Sequence, residues 1–411
     1  MNKKLLTIAI GATLSAAPLL AVQADVKVGG HAQVEAYSAS AACTAGTNAT
    51  AIATGIFTGS GICSTTNSPG ARAQGLIDNA RGRFWITADE DLGAGLKGLA
   101  HFEFSVDTAN SGQPFAEGNS SSPYDTTQRT FDQRFREKYV GLSGGFGSIK
   151  FGNNHGAYKK LGGTSWDPFN ATVLEARGNG GQSGSTDVSR EFAHNGFIAG
   201  SIKWDSEKLL GEIVRLEVLY APHKSSNGAG DVGTANDYQV GVSIKPIKNL
   251  ELIAAHSNNK SQPDGLIAGI APQDQKATKV GVRFSFLNMH TLFAQYERTD
   301  MADSAAASVP TSVGITTAST ADGTYLLLGY SLKIGNIGWV LQAGRHNRDL
   351  SSDIADLQTD YAATGVTYNF SKTTRTWLGY RQSTASLDVN AAGDTTSNEV
   401  KVVALGMRKD F

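Results

Sequence analysis

The sequence predicts an all-β protein, a transmembrane antiparallel β-barrel of about sixteen strands with one long loop folded into the pore. Three observations lead to this fold. Segments of about ten residues alternate between apolar and polar side chains, and tight turns and longer polar loops join them. Charged residues recur on the face that would point inward, where a dry core would make them costly. After residue 24, no apolar run approaches the roughly 18 residues that a membrane helix requires.

The N-terminal segment has the pattern of a secretory signal peptide. Lys3 and Lys4 precede an apolar stretch over residues 5–22, and small residues surround a cleavage site after Ala24. A retained anchor helix is the alternative, but glycine, serine and proline interrupt the apolar stretch. We therefore expect residues 1–24 to be removed, which leaves one barrel domain over residues 25–411.

Composition restricts the class of protein further. Lys and Arg total 36 and Asp and Glu total 37, so the net charge of −1 does not indicate binding to nucleic acid. The mean hydropathy of −0.21 is compatible with a membrane barrel, because only alternate residues of each strand face lipid. We expect no cofactor.

The two cysteines, Cys43 and Cys63, lie in the same segment, which is rich in Ala, Thr, Gly and Ser. In an exported chain an isolated pair indicates one disulfide, here closing a surface loop. A thiol or metal site is the alternative, and it lacks neighbouring ligands.

The strands follow one another in pairs. The hairpin over residues 80–106 shows the pattern best, because Phe84 and Ile86 share one face while Arg83 and Trp85 share the other. The remaining strands are predicted over residues 26–37, 134–151 (a hairpin), 197–205, 212–220, 238–244, 250–256, 279–286, 291–297, 325–332, 338–345, 361–370, 375–381 and 398–411. The last strand must pair with the first, because the bilayer tolerates no open sheet edge.

A basic set of side chains lies on the strands that precede the longest loop. Its members are predicted to point into the lumen: Arg81, Arg83, Arg134, Arg136, Lys138 and Lys150. This alternation places Glu137 and Tyr139 on the lipid side. An ordinary solvated face is the alternative. In a wet pore with low-dielectric walls, such a cluster would steer ions and orient dipolar solutes.

The long loop over residues 152–190 is uncommon in length for a compact, strand-rich chain and is therefore predicted to be functional. Trp166 and Phe169 could line a constriction or anchor the loop to the wall, and we favour anchoring for Phe169. Asp167 is a candidate counter-charge to the basic set. The loop is predicted to narrow the pore.

Catalytic and metal-binding motifs are weak. Residues 141–145 match G-x-S-x-G, but a strand rather than a helix follows Ser143, so a turn residue is favoured over a nucleophile. The eight histidines show no spacing typical of metal ligands, so no metal site is expected.

Several motifs together resemble the general diffusion porins of the Gram-negative outer membrane, of the beta-proteobacterial type. They are RFWITADEDLGAGLK at 83–97, YVGLSGGFGSIKFG at 139–152, WDPF at 166–169 and GMRKDF at 406–411. Two features depart from the family pattern: Trp85 replaces a smaller residue, and the first loop, over residues 38–79, is unusually long.

This resemblance implies a homotrimer of sixteen-stranded barrels in contact with outer-membrane lipid and lipopolysaccharide. The third extracellular loop would fold inward, with the basic ladder facing loop residues that include Asp167 and Glu175. Phe411 resembles the residue that the outer-membrane assembly machinery reads.

The predicted function is a water-filled channel for passive diffusion of small hydrophilic solutes and ions, not an enzyme. A solute-selective channel that prefers anions or carboxylates is the first alternative, and a barrel enzyme or adhesin is the second.

Overall fold

The computed structural model describes residues 24–44, 72–77, 82–106, 108–109, 131–132, 136–176, 197–206, 209, 212–222, 236–259, 275–302, 320–349, 355–389 and 394–411. Within them the strands are β1 (Asp25–Thr44), β2 (Arg72–Ile77), β3 (Gly82–Gly93), β4 (Leu96–Val106), β5 (Phe131–Asp132), β6 (Lys138–Gly144), β7 (Gly147–His155), β8 (Phe197–Asp205), β9 (Val214–Ala221), β10 (Asp237–Ile247), β11 (Leu250–Asn259), β12 (Gln275–Phe286), β13 (His290–Ala302), β14 (Thr320–Ile334), β15 (Ile337–Asp349), β16 (Ala355–Asn369), β17 (Thr374–Val389) and β18 (Asp394–Asp410). The predicted signal peptide lies outside the described residues except for Ala24.

Hydrogen bonds join these strands into one closed antiparallel barrel. Closure comes from β1 and β18, which pair from His31 opposite Asp410 to Thr44 opposite Ser397. β2 and β3 pair with successive stretches of β1, and β5 and β6 pair with successive stretches of β4. The described strands therefore occupy sixteen positions around the wall, which confirms the predicted sixteen-stranded barrel.

The outer face of this barrel is apolar and the inner face is polar. On β12, Val280 is 51% exposed whereas the neighbouring Lys279 is 1% exposed. On β13, Tyr296 is 45% exposed and Glu297 is 1% exposed. Alternate residues of a strand point to opposite faces, so each strand presents apolar side chains outward and polar ones inward.

Short turns close one end of the barrel. Ala94 and Gly95, between β3 and β4, have φ angles of 51° and 76°, and Leu287 and Asn288, between β12 and β13, have φ angles of 53° and 54°. This left-handed backbone matches the twist of a two-stranded hairpin. Longer connections join the strands at the opposite end, and most of their residues lie outside the described part of the chain.

The first connection is shorter than predicted. The sequence predicts a loop over residues 38–79, but β1 continues to Thr44 and β2 occupies part of the return. The strands extend because β18 pairs with the whole of this stretch, for example Ala39 with Val402. Its backbone groups are satisfied by the ladder rather than by solvent.

Two one-turn helices follow β7: α1 (Ala157–Lys160) and α2 (Gly163–Trp166). They belong to a segment over residues 156–176, which we call the inserted segment and which connects to β8 through residues outside the described part. Among the described residues, no helix has the length and apolar character needed to cross a membrane.

A register change before β6 reverses the faces that the sequence predicts there. Ser105 on β4 lies opposite Asp132, and Phe102 on β4 lies opposite Lys138. From the first pair to the second, the chain advances three residues along β4 but six residues from Asp132 to Lys138, an excess of three. The odd number of extra residues inverts the alternation. Glu137 and Tyr139 consequently contact inner-face residues, whereas Lys138 lies opposite Phe102, an exposed apolar side chain. The predictions for these three residues were wrong for this reason.

Candidate functional site: the inner face of the barrel

Two arginines lie side by side on the inner face. Arg83 on β3 is directly opposite Ser105 on β4, so the two side chains point to the same face. Arg83 Nε lies 3.0 Å from Glu103 Oε1, and its Nη1 donates to Ser105 Oγ at 3.4 Å. Arg136 Nε donates to the same hydroxyl oxygen at 2.5 Å. Ser105 thus links two guanidinium groups on neighbouring strands.

Lys150 on β7 extends this basic wall. Its Nζ lies 4.9 Å from the centre of the Tyr139 ring, in cation–π geometry. Tyr139 in turn stacks on His101 of β4, with ring centroids 5.3 Å apart. We call Arg83, Arg136 and Lys150 the basic cluster. The structure separates Lys138 from it, as the register requires.

Several predicted residues lie outside the described part of the chain. These are Arg81, Arg134 and Cys63, together with the side chain of Cys43, although the backbone of Cys43 belongs to β1. The roles assigned to these arginines and the disulfide stay predictions.

The inserted segment begins with contacts to the wall formed by β10 to β13. Tyr158 is 1% exposed; its backbone N–H donates to Gln239 Oε1 at 3.0 Å, and its hydroxyl donates to Glu297 Oε2 at 2.7 Å. Lys279 Nζ lies 4.5 Å from the centre of its ring. The first helical turn is therefore fixed to three inner-face polar residues.

Trp166 and Phe169 make apolar contacts between this segment and the wall. The Trp166 ring is 5% exposed and lies beneath the Arg283 guanidinium, 5.6 Å from its carbon. A Cβ at Gly281 would lie only 2.7 Å from the Trp166 ring, and one at Gly365 would lie 3.0 Å from the Phe169 ring. Each aromatic ring therefore packs against a strand glycine, which leaves room for it.

The end of the segment contacts β1, β16 and β17. Glu35 accepts a hydrogen bond from the Val173 backbone N–H at 3.0 Å and another from Trp377 Nε1 at 3.0 Å. The Tyr361 hydroxyl donates to the Leu174 carbonyl oxygen at 2.6 Å. The contacts at the start of the segment are with β10 to β13, and those at its end are with β16, β17 and β1. The segment therefore contacts the wall over a long arc, from β10 through β17 to β1.

Asp167 and Glu175 accept hydrogen bonds from backbone groups of the segment, and Asp167 also accepts one from the wall. Asp167 is 6% exposed and accepts from the backbone N–H groups of Phe169 at 2.8 Å and Ala176 at 3.0 Å, and from Gln342 Nε2 at 2.7 Å. Glu175 is fully buried and accepts from the Ala171 N–H at 2.9 Å. The resemblance implies acidic groups that face the basic ladder. The hydrogen bonds described here join these carboxylates to backbone groups of the segment and to Gln342 on the wall.

Sequence reasoning missed charged residues on the more distant strands. Lys203 Nζ lies 2.8 Å from Glu217 Oε2, and both residues are almost fully buried. Arg381 on β17 is fully buried as well. Lys203 lies between Ile202 and Trp204, and Glu217 lies between Leu216 and Val218, so the alternation seen on β3 and β4 predicts an inner-face position for both. Arg381 is followed by Gln382 and shows no such pattern.

The motif around Ser143 lies at the end of a hairpin. Ser143 is on β6, two residues before the turn and not in it, and its partner across the sheet is Ser148 on β7. A nucleophile elbow requires a strand-to-helix turn. The motif therefore describes a hairpin turn and not a catalytic serine.

Burial of Asp167 predicts a pH dependence of loop docking. Burial raises the pKa of its carboxyl from 3.8 to about 6, so the docked segment favours the protonated form. The stabilisation is complete below about pH 4 and is lost as the pH rises to about 6, a change of roughly 3 kcal/mol at most. We expect more frequent conductance fluctuations above this range than below it. Asp167→Asn should flatten the dependence, and an unchanged pH profile would contradict the assignment.

Phe169→Ala should release the inserted segment. Phe169 is 1% exposed, and truncating a buried phenylalanine costs about 3 kcal/mol or more. We expect trypsin to cleave at Lys159 and Lys160 up to about a hundredfold faster, because local opening exposes them. Phe370→Ala is the matched control, since Phe370 is 60% exposed in a turn. Equal cleavage rates in both variants would show that Phe169 does not anchor the segment.

Comparisons with known proteins agree with this architecture. A family model described as Gram-negative porin matches residues 6–405. No curated protein matches the chain in sequence.

Solved structures of similar fold include three channels. The anion-selective porin from Comamonas acidovorans is 17% identical, with a TM-score of 0.62 over 95% of this chain and 100% of that one. The outer membrane channel DcaP of Acinetobacter baumannii is 14% identical, with a TM-score of 0.57 over 94% and 97%. OmpF of Salmonella typhi, in complex with daunomycin, is 14% identical, with a TM-score of 0.55 over 94% and 97%.

Proposed function

The chain belongs to the Gram-negative porin family, and we propose that it forms a water-filled channel for passive diffusion of small hydrophilic solutes and ions across the outer membrane. The observation that carries this proposal is the closed barrel whose exposed face is apolar and whose inner face is charged. Such a barrel presents hydrocarbon to lipid and polar groups to water. Transport of this kind requires no chemical step.

We propose further that the inserted segment lies across the lumen and narrows it. Its contacts reach inner-face side chains from β10 through β17 to β1, for example Gln239, Gln342 and Glu35. The basic cluster is on the remaining wall, formed by β3 to β7. In this arrangement solutes pass between the packed segment on one side and the cations on the other. Trp166 and Phe169 anchor the segment.

Anions are the preferred solutes of this proposed constriction. The basic cluster has three cations against the two carboxylates beside it, those of Glu103 and Glu137, whereas the two acidic groups of the segment, Asp167 and Glu175, are buried in hydrogen bonds. Charges on a low-dielectric wall focus the field into the pore. A structural relative is itself an anion-selective porin. Selectivity for carboxylates rather than for anions in general is the second candidate, since arginine guanidinium groups bind carboxylates well.

Reconstitution into a planar bilayer tests the channel function. Purified, folded protein should produce stepwise increases of conductance whose size does not depend on the gradient of any one solute. Absence of channels from protein whose barrel is shown to be folded by circular dichroism would refute the proposal. Low conductance that saturates with one carboxylate and is blocked by it would favour the selective alternative.

The assembly of the channel is part of the same proposal. We infer a homotrimer in contact with lipid and lipopolysaccharide, because the family resemblance implies it and the outer face of the strands is apolar. Phe411 is 63% exposed, and its backbone pairs with Gly30 at the closing seam, with N–O distances of 3.0 Å in both directions. An exposed ring at this seam is accessible to the assembly machinery.

A further inference from the structure

A cluster of histidine and glutamate side chains lies on the inner wall next to the basic cluster. His101 and Glu103 are two residues apart on β4 and so share a face. Glu137 precedes β6, and its carbonyl oxygen accepts from the Glu103 N–H at 2.9 Å, which brings the two strands into register. The donor atoms of these three side chains all lie within 4.8 Å of one another.

We propose that His101, Glu103 and Glu137 bind a divalent transition-metal ion such as Zn²⁺. Imidazole nitrogen together with carboxylate oxygen is a donor set that zinc accepts, whereas Mg²⁺ and Ca²⁺ prefer oxygen alone. Donor atoms around a tetrahedral zinc lie roughly 3.4 Å apart, because each bond is about 2.1 Å long. Side-chain rotations that move the ligand atoms by about an ångström therefore suffice to bring them into coordination distance of one ion.

The state of His101 supports the site independently of the glutamates. Its side chain is 13% exposed, and its Nε2 is buried without a hydrogen-bond partner among the described residues. This nitrogen lies 3.9 Å from Glu103 Oε2, too far for a hydrogen bond. Buried polar atoms normally have a partner. A metal ion between the imidazole and the carboxylates would provide one.

The surroundings supply the orienting contacts that metal sites require. His155 Nδ1 lies 2.9 Å from Glu137 Oε2 and orients that carboxylate. Arg83 Nε lies 3.0 Å from Glu103 Oε1, which leaves Oε2 to face His101. Tyr139 stacks on the His101 ring and fixes its plane.

The same neighbours limit the affinity. Arg83 and Arg136 place positive charge beside the carboxylates, and this charge disfavours the binding of a metal cation there. We therefore expect micromolar rather than nanomolar binding. Three protein ligands leave the fourth position of the ion open. The ion would then accept water, imidazole or a carboxylate-bearing solute at that position.

Spacing along the sequence gave no indication of this site, because the ligands come from β4 and the residue before β6. Only the register brings them together. The sequence prediction of no metal site considered histidine spacing within single segments, which a site built across strands does not follow.

Isothermal titration of Zn²⁺ into the folded, detergent-solubilised protein tests the site without using the channel function. We expect micromolar binding at one site per chain and no heat from Mg²⁺. His101→Ala should weaken binding at least about tenfold, and Glu103→Gln should have a similar effect. His256→Ala is the matched control: His256 lies on β11, away from the cluster, where it contacts Thr278 at 2.8 Å.

Planar-bilayer recordings provide a second readout, which rests on the proposed function. Micromolar Zn²⁺ should reduce the wild-type conductance but not that of His101→Ala. Channels from a wild-type protein that binds no zinc would overturn the metal site and leave the channel function standing. Zinc binding that is equal in His101→Ala and wild type would overturn the assignment of these ligands. Binding that depends on His101 in a protein without channels would support the site and refute the channel function.

Discussion

Replacing Arg83 and Arg136 together with glutamate should convert the channel from anion preference to cation preference. The double substitution changes the charge of the proposed constriction by four units. Two unit charges about 4 Å apart interact with about 1 kcal/mol in water, and more strongly beside a low-dielectric wall. We expect the ratio of anion to cation permeability to fall by at least about tenfold. The reversal potential in a KCl gradient should change sign.

A matched control separates local from overall charge. Lys248 and Lys372 are exposed in short turns between β10 and β11 and between β16 and β17. Lys248→Glu with Lys372→Glu changes the net charge of the chain by the same amount, and it should leave the reversal potential close to that of the wild type. A shift of equal size in the control would mean that total charge, and not the basic cluster, sets selectivity.

Deleting residues 157–176 should increase the single-channel conductance. These residues contribute the buried contacts of the inserted segment, and residues 177–196 remain to connect β7 with β8. Conductance depends on the narrowest cross-section of a pore, so we expect an increase of about twofold or more. The selectivity should weaken at the same time, because solutes pass farther from the basic cluster. The measurement is a conductance histogram from many insertion events.

The comparison for this deletion is removal of residues 261–273 in the connection between β11 and β12. None of the described contacts of the inserted segment involves this connection, so the variant should keep the wild-type conductance. A deletion of residues 157–176 that leaves conductance unchanged, in a barrel shown to be folded, would mean that the segment does not narrow the lumen.

Much of the barrel could be predicted from alternation alone. On β3 one face has Phe84 and Ile86, and the other has Arg83 and Trp85. Because side chains alternate between faces along a strand, the same assignment of faces can be extended along each hairpin. The closing strand was predictable too, because an open edge is excluded in a bilayer. The same alternation predicts an inner-face position for Arg83, which contacts Glu103 and Ser105.

The remainder required information that a single strand does not contain. An irregularity before β6 inverts the faces of Glu137, Lys138 and Tyr139, and nothing in the local sequence marks where the extra residues lie. Asp167 is a charged loop residue, which suggests exposure, yet backbone N–H groups and Gln342 surround it. Contacts between distant segments decide such positions, as they do for the cluster around His101.

The most direct measurement of the central claim is the reversal potential of the wild-type channel in a KCl gradient at about neutral pH. The chain as a whole carries a net charge of −1, so its total charge does not predict a preference for anions. A constriction formed between the basic cluster and a segment with buried carboxylates does predict one. A reversal potential whose sign indicates that chloride permeates more readily than potassium agrees with this arrangement. A potential of zero, or one with the sign of potassium permeation, contradicts it.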